Sequence, residues 1–127
     1  MISPEMFAEF ALPILQEQCR RLNYSIYHWD GPGQIPHLDL LLSIPELTGI
    51  QWTPGAGNPA VDSPRWFPLY RRIQAAGKRL VLLDTPASGI ARLLAELSPQ
   101  GLLIHTTVAS EAEAEQLLKD VRRWSVG

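Results

Sequence analysis

The chain has 127 residues, of which 46% are hydrophobic and 19% are charged. This length suits one compact domain and is too short for two of ordinary size, and the hydrophobic content excludes global disorder. A formal net charge of −2 provides no basic field for nucleic acid or anionic lipid, and a single cysteine, Cys19, excludes an intramolecular disulfide framework. We therefore expect a cytoplasmic protein that binds neither nucleic acid nor a membrane.

Helical and extended patterns alternate along the whole chain. Apolar residues at helical spacing, preceded by the cap residue Ser3, predict a first helix over 4–22, which Pro13 should kink or split. The last helix has the clearest start, because Ser110 and Glu113 match the capping box. Between them the patterns predict strand 24–29, helix 36–42, strand 49–53, helix 64–76, strand 79–83, helix 87–97 and strand 101–105.

One helix followed by four strand–helix units predicts an α/β domain with a parallel four-stranded sheet. Strands separated by helical crossovers form parallel sheets with right-handed connections. The continuous apolar run of 79–83 favours a strand that is covered on both faces. The longest segment without regular structure, 54–63, is where we expect a functional loop.

Ligands of parallel α/β sheets bind at the carboxyl ends of the strands, so the candidate residues are those at the four predicted strand ends. The predicted ligand pocket consists of His28, Asp30, Gln51, Trp52, Gly55, Gly57, Asp84 and His105. Each has a structural alternative: a histidine bonded to a carbonyl, an aspartate that caps a turn, or a tryptophan in the core. His37, at a helix start, is expected to be solvated or to cap the helix.

Three of these residues form a candidate metal site. His28, Asp30 and His105 offer nitrogen and oxygen ligands of the kind that bind zinc, and we expect their side chains to converge on one pocket. The sequence lacks the GxSxG elbow and the HExxH motif of known hydrolases. No catalytic residue is therefore assigned from the residues alone.

Several segments together resemble the uroporphyrinogen decarboxylase-like superfamily, which includes cobalamin-linked methyltransferases. The resemblance rests on SPEMFAEFALPIL, IYHWDGPG, HLDLLLSIPELTGIQWTPGAGNP, AAGKRLVLLDTP and LSPQGLLIHTTVASEAEAEQLL. It implies the C-terminal half of a (β/α)₈ TIM barrel, since a complete barrel needs about 250 residues. The implied chemistry of the complete barrel is methyl transfer involving a corrinoid that a partner protein carries, or decarboxylation of a tetrapyrrole.

The resemblance transfers few functional residues. The family decarboxylases use arginine and aspartate residues near the start of the barrel, in sequence that this chain does not contain. The zinc-dependent methyltransferases use a histidine and a cysteine two positions apart, followed by a later cysteine. His28 matches the histidine, but Asp30 stands at the cysteine position and no cysteine follows. Zinc would therefore need a harder set of nitrogen and oxygen ligands.

Three interpretations stay open. In the first, the chain is one half of an enzyme and is inactive alone. In the second, it is a ligand-binding or subunit module, which completes a barrel as a homodimer or with a separate N-terminal half-barrel. Dimerisation is expected because half a barrel leaves two edge strands with unpaired backbone groups. A small flavodoxin-like domain is the third interpretation. It is disfavoured because the sequence predicts only four strands.

Overall fold

The computed structural model describes residues 2–126. It contains four strands: β1 (Ile26–Asp30), β2 (Gly49–Thr53), β3 (Arg79–Leu82) and β4 (Leu102–Ile104). The α-helices are α1 (Pro4–Met6), α2 (Leu12–Arg21), α3 (Leu38–Leu42), α4 (Phe67–Ala75), α5 (Ile90–Glu96) and α6 (Glu111–Trp124). A π-helix, Phe7–Ala11, joins α1 to α2, and 3₁₀ turns at Pro32–His37, Pro64–Trp66 and Ala87–Gly89 precede α3, α4 and α5.

The N-terminal helix, which comprises α1, the π-helix and α2, is split at Pro13 as predicted. Proline has no N–H to donate and its ring clashes with the carbonyl four residues earlier. The chain widens just before this residue, where the Leu12 N–H donates to the Phe7 carbonyl five residues back. The wider turn lets the chain pass Pro13 and resume a regular helix.

The four strands form one sheet in the order β1-β2-β3-β4, and every neighbouring pair is parallel. The register aligns His28 with Gln51, Gln51 with Val81, and Val81 with Leu103. The predicted parallel four-stranded sheet with helical crossovers is thus confirmed. β4 was predicted one residue too long at each end, and β1 begins at Ile26 rather than at residue 24.

Helices cover one face of this sheet, which we call the covered face. It carries Trp29, Trp52 and Leu82 in one row across β1, β2 and β3, and each of these side chains is fully buried. They belong to a single core cluster to which the N-terminal helix, α3, α4 and α5 each contribute apolar side chains. Alternation of side chains along a strand sends the intervening residues to the opposite face.

That opposite face, which we call the open face, has no helix packed on it among residues 2–126. It carries Ile26, His28, Gln51, Val81 and Leu103, of which only Val81 is buried. The expectation that β3 is covered on both faces is met only in part, because Val81 is buried on the open face without a helix above it. Helices cover Leu80 and Leu82, whereas Leu83, just beyond the strand, is exposed.

The two ends of the chain flank the free edges of the sheet. The N-terminal helix lies beside β1 and exposes Met6, Phe10 and Ile14, which recur every four residues. At the other edge, α6 packs on α5 and exposes Leu118. Within residues 2–126, no helix combines the length and the apolar character needed to cross a bilayer.

Candidate functional site at the carboxyl ends of the strands

A cavity of about 410 Å³ opens where β2 and β3 end. This volume lies in the range of small-molecule sites. Its wall consists of Gln51, Trp52, Thr53, Pro54, Gly55, Asn58, Pro59, Ala60, Val61, Leu83 and Asp84. The glycine- and proline-rich loop 54–63 after β2, which was predicted to be functional, thus forms most of one wall.

Side chains from α4 and the turn before it hold this loop in place. The Trp66 indole N–H donates to the carbonyls of Pro59 and Ala60, both at 3.1 Å, and the Tyr70 hydroxyl donates to the Val61 carbonyl at 2.7 Å. Burial raises the pKa of Tyr70, so its hydroxyl stays a donor. The loop is therefore anchored to the buried core and is already in position around the cavity.

A close backbone approach fixes the end of the same loop. Asp62 packs against Gly89 so tightly that a Cβ atom at residue 89 would lie 2.5 Å from the Asp62 Cβ. Only a residue without a side chain permits this approach. Gly89 therefore belongs to the support of the cavity, although it does not line it.

Asp84 and His105 form a local pair at the end of β3 and β4. The Asp84 backbone N–H donates to His105 Nδ1 at 3.2 Å, and the same nitrogen lies 3.4 Å from Asp84 Oδ1. Asp84 has a φ of 52°, a left-handed conformation that aspartate and asparagine adopt more readily than most residues. The hydrogen bond from its N–H helps to hold that backbone conformation.

His28 and Asp30 form a second, separate pair on β1. His28 Nε2 lies 3.9 Å from Asp30 Oδ2, and both side chains are exposed on the open face. Since β1 and β4 are the two edge strands, His105 is three strand spacings away, about 14 Å. Within residues 2–126, no group of three His, Cys, Asp or Glu side chains is placed to hold a metal ion. The expected metal set of His28, Asp30 and His105 is therefore not assembled within one chain.

The structure brings together half of the predicted pocket residues. Gln51, Trp52, Gly55 and Asp84 line the cavity, and His105 supports Asp84 from behind. Gly57, at the exposed tip of the loop, and the β1 residues His28 and Asp30 do not line it.

Sequence reasoning missed Asn58 and the loop anchors Trp66 and Tyr70. Asn58 lines the cavity and donates from Nδ2 to the Pro54 carbonyl at 2.9 Å, which closes the loop on itself. Its position between Gly57 and Pro59 was an available signal, because asparagine next to glycine is typical of turns. Trp66 is buried, but its hydrogen bonds to the ten-residue loop 54–63 follow from no local sequence pattern.

One histidine was placed wrongly. His37 was expected in solvent or at a helix cap, but its ring is buried and stacks on Phe7 with 4.5 Å between ring centroids. The Pro32–His37 turn directs this ring inward against the N-terminal helix. His37 is therefore a packing residue between the helix and the crossover that follows β1.

Comparison of the chain with protein-family models, with curated proteins and with solved structures gives no match.

Proposed function

We propose that the chain is the C-terminal half of a uroporphyrinogen decarboxylase-like (β/α)₈ barrel and that its cavity binds part of the substrate in methyl transfer or decarboxylation. The observation that carries this proposal is the open face. In such a barrel the helices lie outside and the inner face of each strand meets strands from across the barrel. Sequential strand order with helices on one face is the arrangement that half of a barrel would have.

The same observation disfavours a flavodoxin-like domain. Doubly wound sheets have helices on both faces and reverse their strand order at a switch point. Here the strand order runs in one direction from β1 to β4. The open face also mixes apolar side chains, such as Leu103, with polar ones, such as Gln51, which suits the lining of a barrel better than a solvent-facing sheet surface.

The helices favour a separate N-terminal half-barrel over a second copy as the partner. In a barrel each helix covers the groove between two neighbouring strands, which gives eight helix positions for eight strands. Residues 2–126 form five helical segments for four strands, so two copies of this part would bring ten. A partner that begins and ends with a strand, and contributes three helices between its strands, would fill the remaining positions.

A homodimer is the second candidate, and the exposed apolar residues at the two edges favour it. Ile26 on β1 and Leu103 on β4 are each more than half exposed, and both edge strands have unpaired backbone groups on their outer side. In a two-copy barrel the N-terminal helix of one chain and α6 of the other would compete for one groove. One of the two helices would have to move out.

Within a complete barrel, this half would bind and orient substrate rather than supply a complete catalytic set. Asp84 offers a carboxylate, and Gln51 offers an amide whose Nε2 donates to Thr53 Oγ1 at 3.3 Å. The loop that Trp66 and Tyr70 anchor forms the wall. In the methyl-transfer alternative, a corrinoid carried by a partner protein would provide the methyl group. Zinc has no part in the proposal, because the described His, Cys, Asp and Glu residues do not gather around one point.

The test is reconstitution with the first four strand–helix units of a uroporphyrinogen decarboxylase-like barrel. We expect a one-to-one complex by light scattering, slower amide exchange in β1 and β4, and methyl transfer from methylcobalamin or uroporphyrinogen decarboxylation only in the mixture. Replacing Leu103 by Glu should prevent assembly, because it places a charge in the barrel interior. A chain that neither assembles nor gains protection would contradict the proposal, and a species of twice 14.2 kDa without the added half would favour the homodimer.

A further inference from the structure

The wall of the cavity carries negative charge only. Of its eleven lining residues, Asp84 alone is ionisable, and the others are apolar, amide or hydroxyl side chains or glycine. No lysine, arginine or histidine lines it. An anionic ligand placed here would meet a carboxylate and no compensating cation.

No cationic side chain stands in the cavity wall beside Asp84. His105 Nδ1 accepts the backbone N–H of Asp84 at 3.2 Å, and His105 itself does not line the cavity. No lysine or arginine in residues 2–126 forms an ion pair with this carboxylate. The Asp84 side chain is 91% exposed, so a ligand can reach it.

The backbone that carries this carboxylate is held in place. Asp84 adopts a φ of 52°, secured by the hydrogen bond from its N–H to His105, while the opposite wall is fixed through Trp66 and Tyr70. A left-handed backbone conformation costs free energy for a residue other than glycine, and it persists where the surrounding structure enforces it. The site therefore presents one negative charge at the mouth of a preformed cavity.

We infer that this cavity takes a small ligand with a positively charged, ammonium-type group placed beside Asp84, and disfavours carboxylates and phosphates. The inference rests on the proposed function and favours its methyl-transfer alternative, since the substrate of a tetrapyrrole decarboxylation carries carboxylates, which Asp84 would repel. Opposite charges at contact distance attract even in water, by an amount that corresponds to a factor of about five in affinity. The same carboxylate repels an anion by a similar factor.

Three probes of nearly equal shape test the charge dependence. They are choline, its neutral analogue in which carbon replaces the quaternary nitrogen, and the tert-butylacetate anion. Each is titrated into the intact chain while the indole N–H of Trp52 and the amide of Asp84 are followed by NMR. We expect choline to bind about fivefold more tightly than the neutral analogue, and the anion to bind more weakly than both.

Two matched variants assign the preference to one carboxylate. Asp84→Asn keeps a residue that tolerates the left-handed backbone and should abolish the preference for choline. Asp30→Asn removes a carboxylate at the same end of the sheet but outside the cavity, and should leave the preference unchanged. The amide spectrum of each variant confirms that the fold is kept.

The outcomes separate the inference from the proposed function. Equal binding of all three probes at the cavity, or tightest binding of the anion, would overturn the charge inference and leave the cavity as a ligand site. Probes that shift neither signal would overturn the inference too, while the half-barrel proposal would still stand or fall by reconstitution. A preference that survives in Asp84→Asn would assign it to another group and refute the role of Asp84.

Discussion

The two faces of the sheet are built from the same strands and have opposite properties. On the covered face, Trp29, Trp52 and Leu82 are sealed under helices, whereas on the open face His28 and Leu103 are largely exposed. One residue along a strand is enough to move from one environment to the other. Buried apolar area therefore stabilises the domain from one side of the sheet, while most side chains of the other side stay accessible.

The largest effect is expected when the same truncation is made on each face of the sheet. Leu82→Ala removes buried methyl groups from a fully buried position and should lower the free energy of unfolding by about 2–5 kcal/mol. Leu103→Ala removes the same atoms from a side chain that is 54% exposed, and should cost about 0.5 kcal/mol or less. Urea denaturation of both variants measures the difference.

This pair of variants also reports on assembly. If a second copy covers the open face in solution, Leu103 is buried there and its truncation should cost several times more. A large, concentration-dependent loss for Leu103→Ala would therefore contradict an open face in the free chain.

The architecture of the domain was readable from the sequence because it rests on local patterns. Apolar residues at helical spacing, Pro13 and the Ser110–Glu113 capping box predicted the order of the elements and the split in the first helix. The apolar run of β3 predicted the burial of Leu80, Val81 and Leu82, but such a run does not reveal how many faces of the sheet helices cover. Whether helices pack on one face or both depends on the strand order, which no single segment encodes.

The site was only half predictable, for a similar reason. Position at a strand end selected Gln51 and Asp84, which line one cavity because parallel strands bring their carboxyl ends to one edge. The same rule wrongly joined His28 to His105, because it ignores the distance across the sheet from β1 to β4. His37 was misplaced because its burial depends on a stacking contact with Phe7, thirty residues earlier in the chain.

A smaller loss of stability is expected when a buried side chain that anchors the cavity loop is changed. Tyr70→Phe removes the hydroxyl that donates to the Val61 carbonyl and leaves that carbonyl without its partner, which should cost about 1–3 kcal/mol. Tyr24→Phe, at an exposed tyrosine, is the control and should change stability by about 0.5 kcal/mol at most. Faster amide exchange in the loop after β2 in Tyr70→Phe alone would tie the loss to the cavity wall. Equal exchange in both variants would show that the hydroxyl does not hold the loop.

The smallest expected effect compares two successive cations at the start of β3. Lys78 lies on the helix side, where its Nζ donates to the carbonyls of Ile44 at 2.6 Å and Leu47 at 2.8 Å, while Arg79 is exposed on the open face. Burial lowers the pKa of Lys78 in the folded chain. The unfolded chain therefore keeps this proton to a higher pH than the folded chain does.

The sign of the pH effect follows from that difference. Below the lowered pKa both states carry the proton, and the unfavourable burial of the charge is fully present. As the pH rises from the lowered pKa of Lys78 towards the ordinary lysine value, the unfolded state binds more protons, so this residue's contribution to the free energy of unfolding increases. Tyrosines with raised pKa values, such as Tyr70, act in the opposite direction at alkaline pH, because the folded chain keeps their protons longer.

The measured quantity is therefore the difference in free energy of unfolding between wild type and Lys78→Met. It is followed by urea denaturation from neutral to alkaline pH, with Arg79→Met as the control. We expect the difference to change with pH for Lys78→Met and to stay constant for Arg79→Met, and a constant difference for both would show that the two cations are equally solvated.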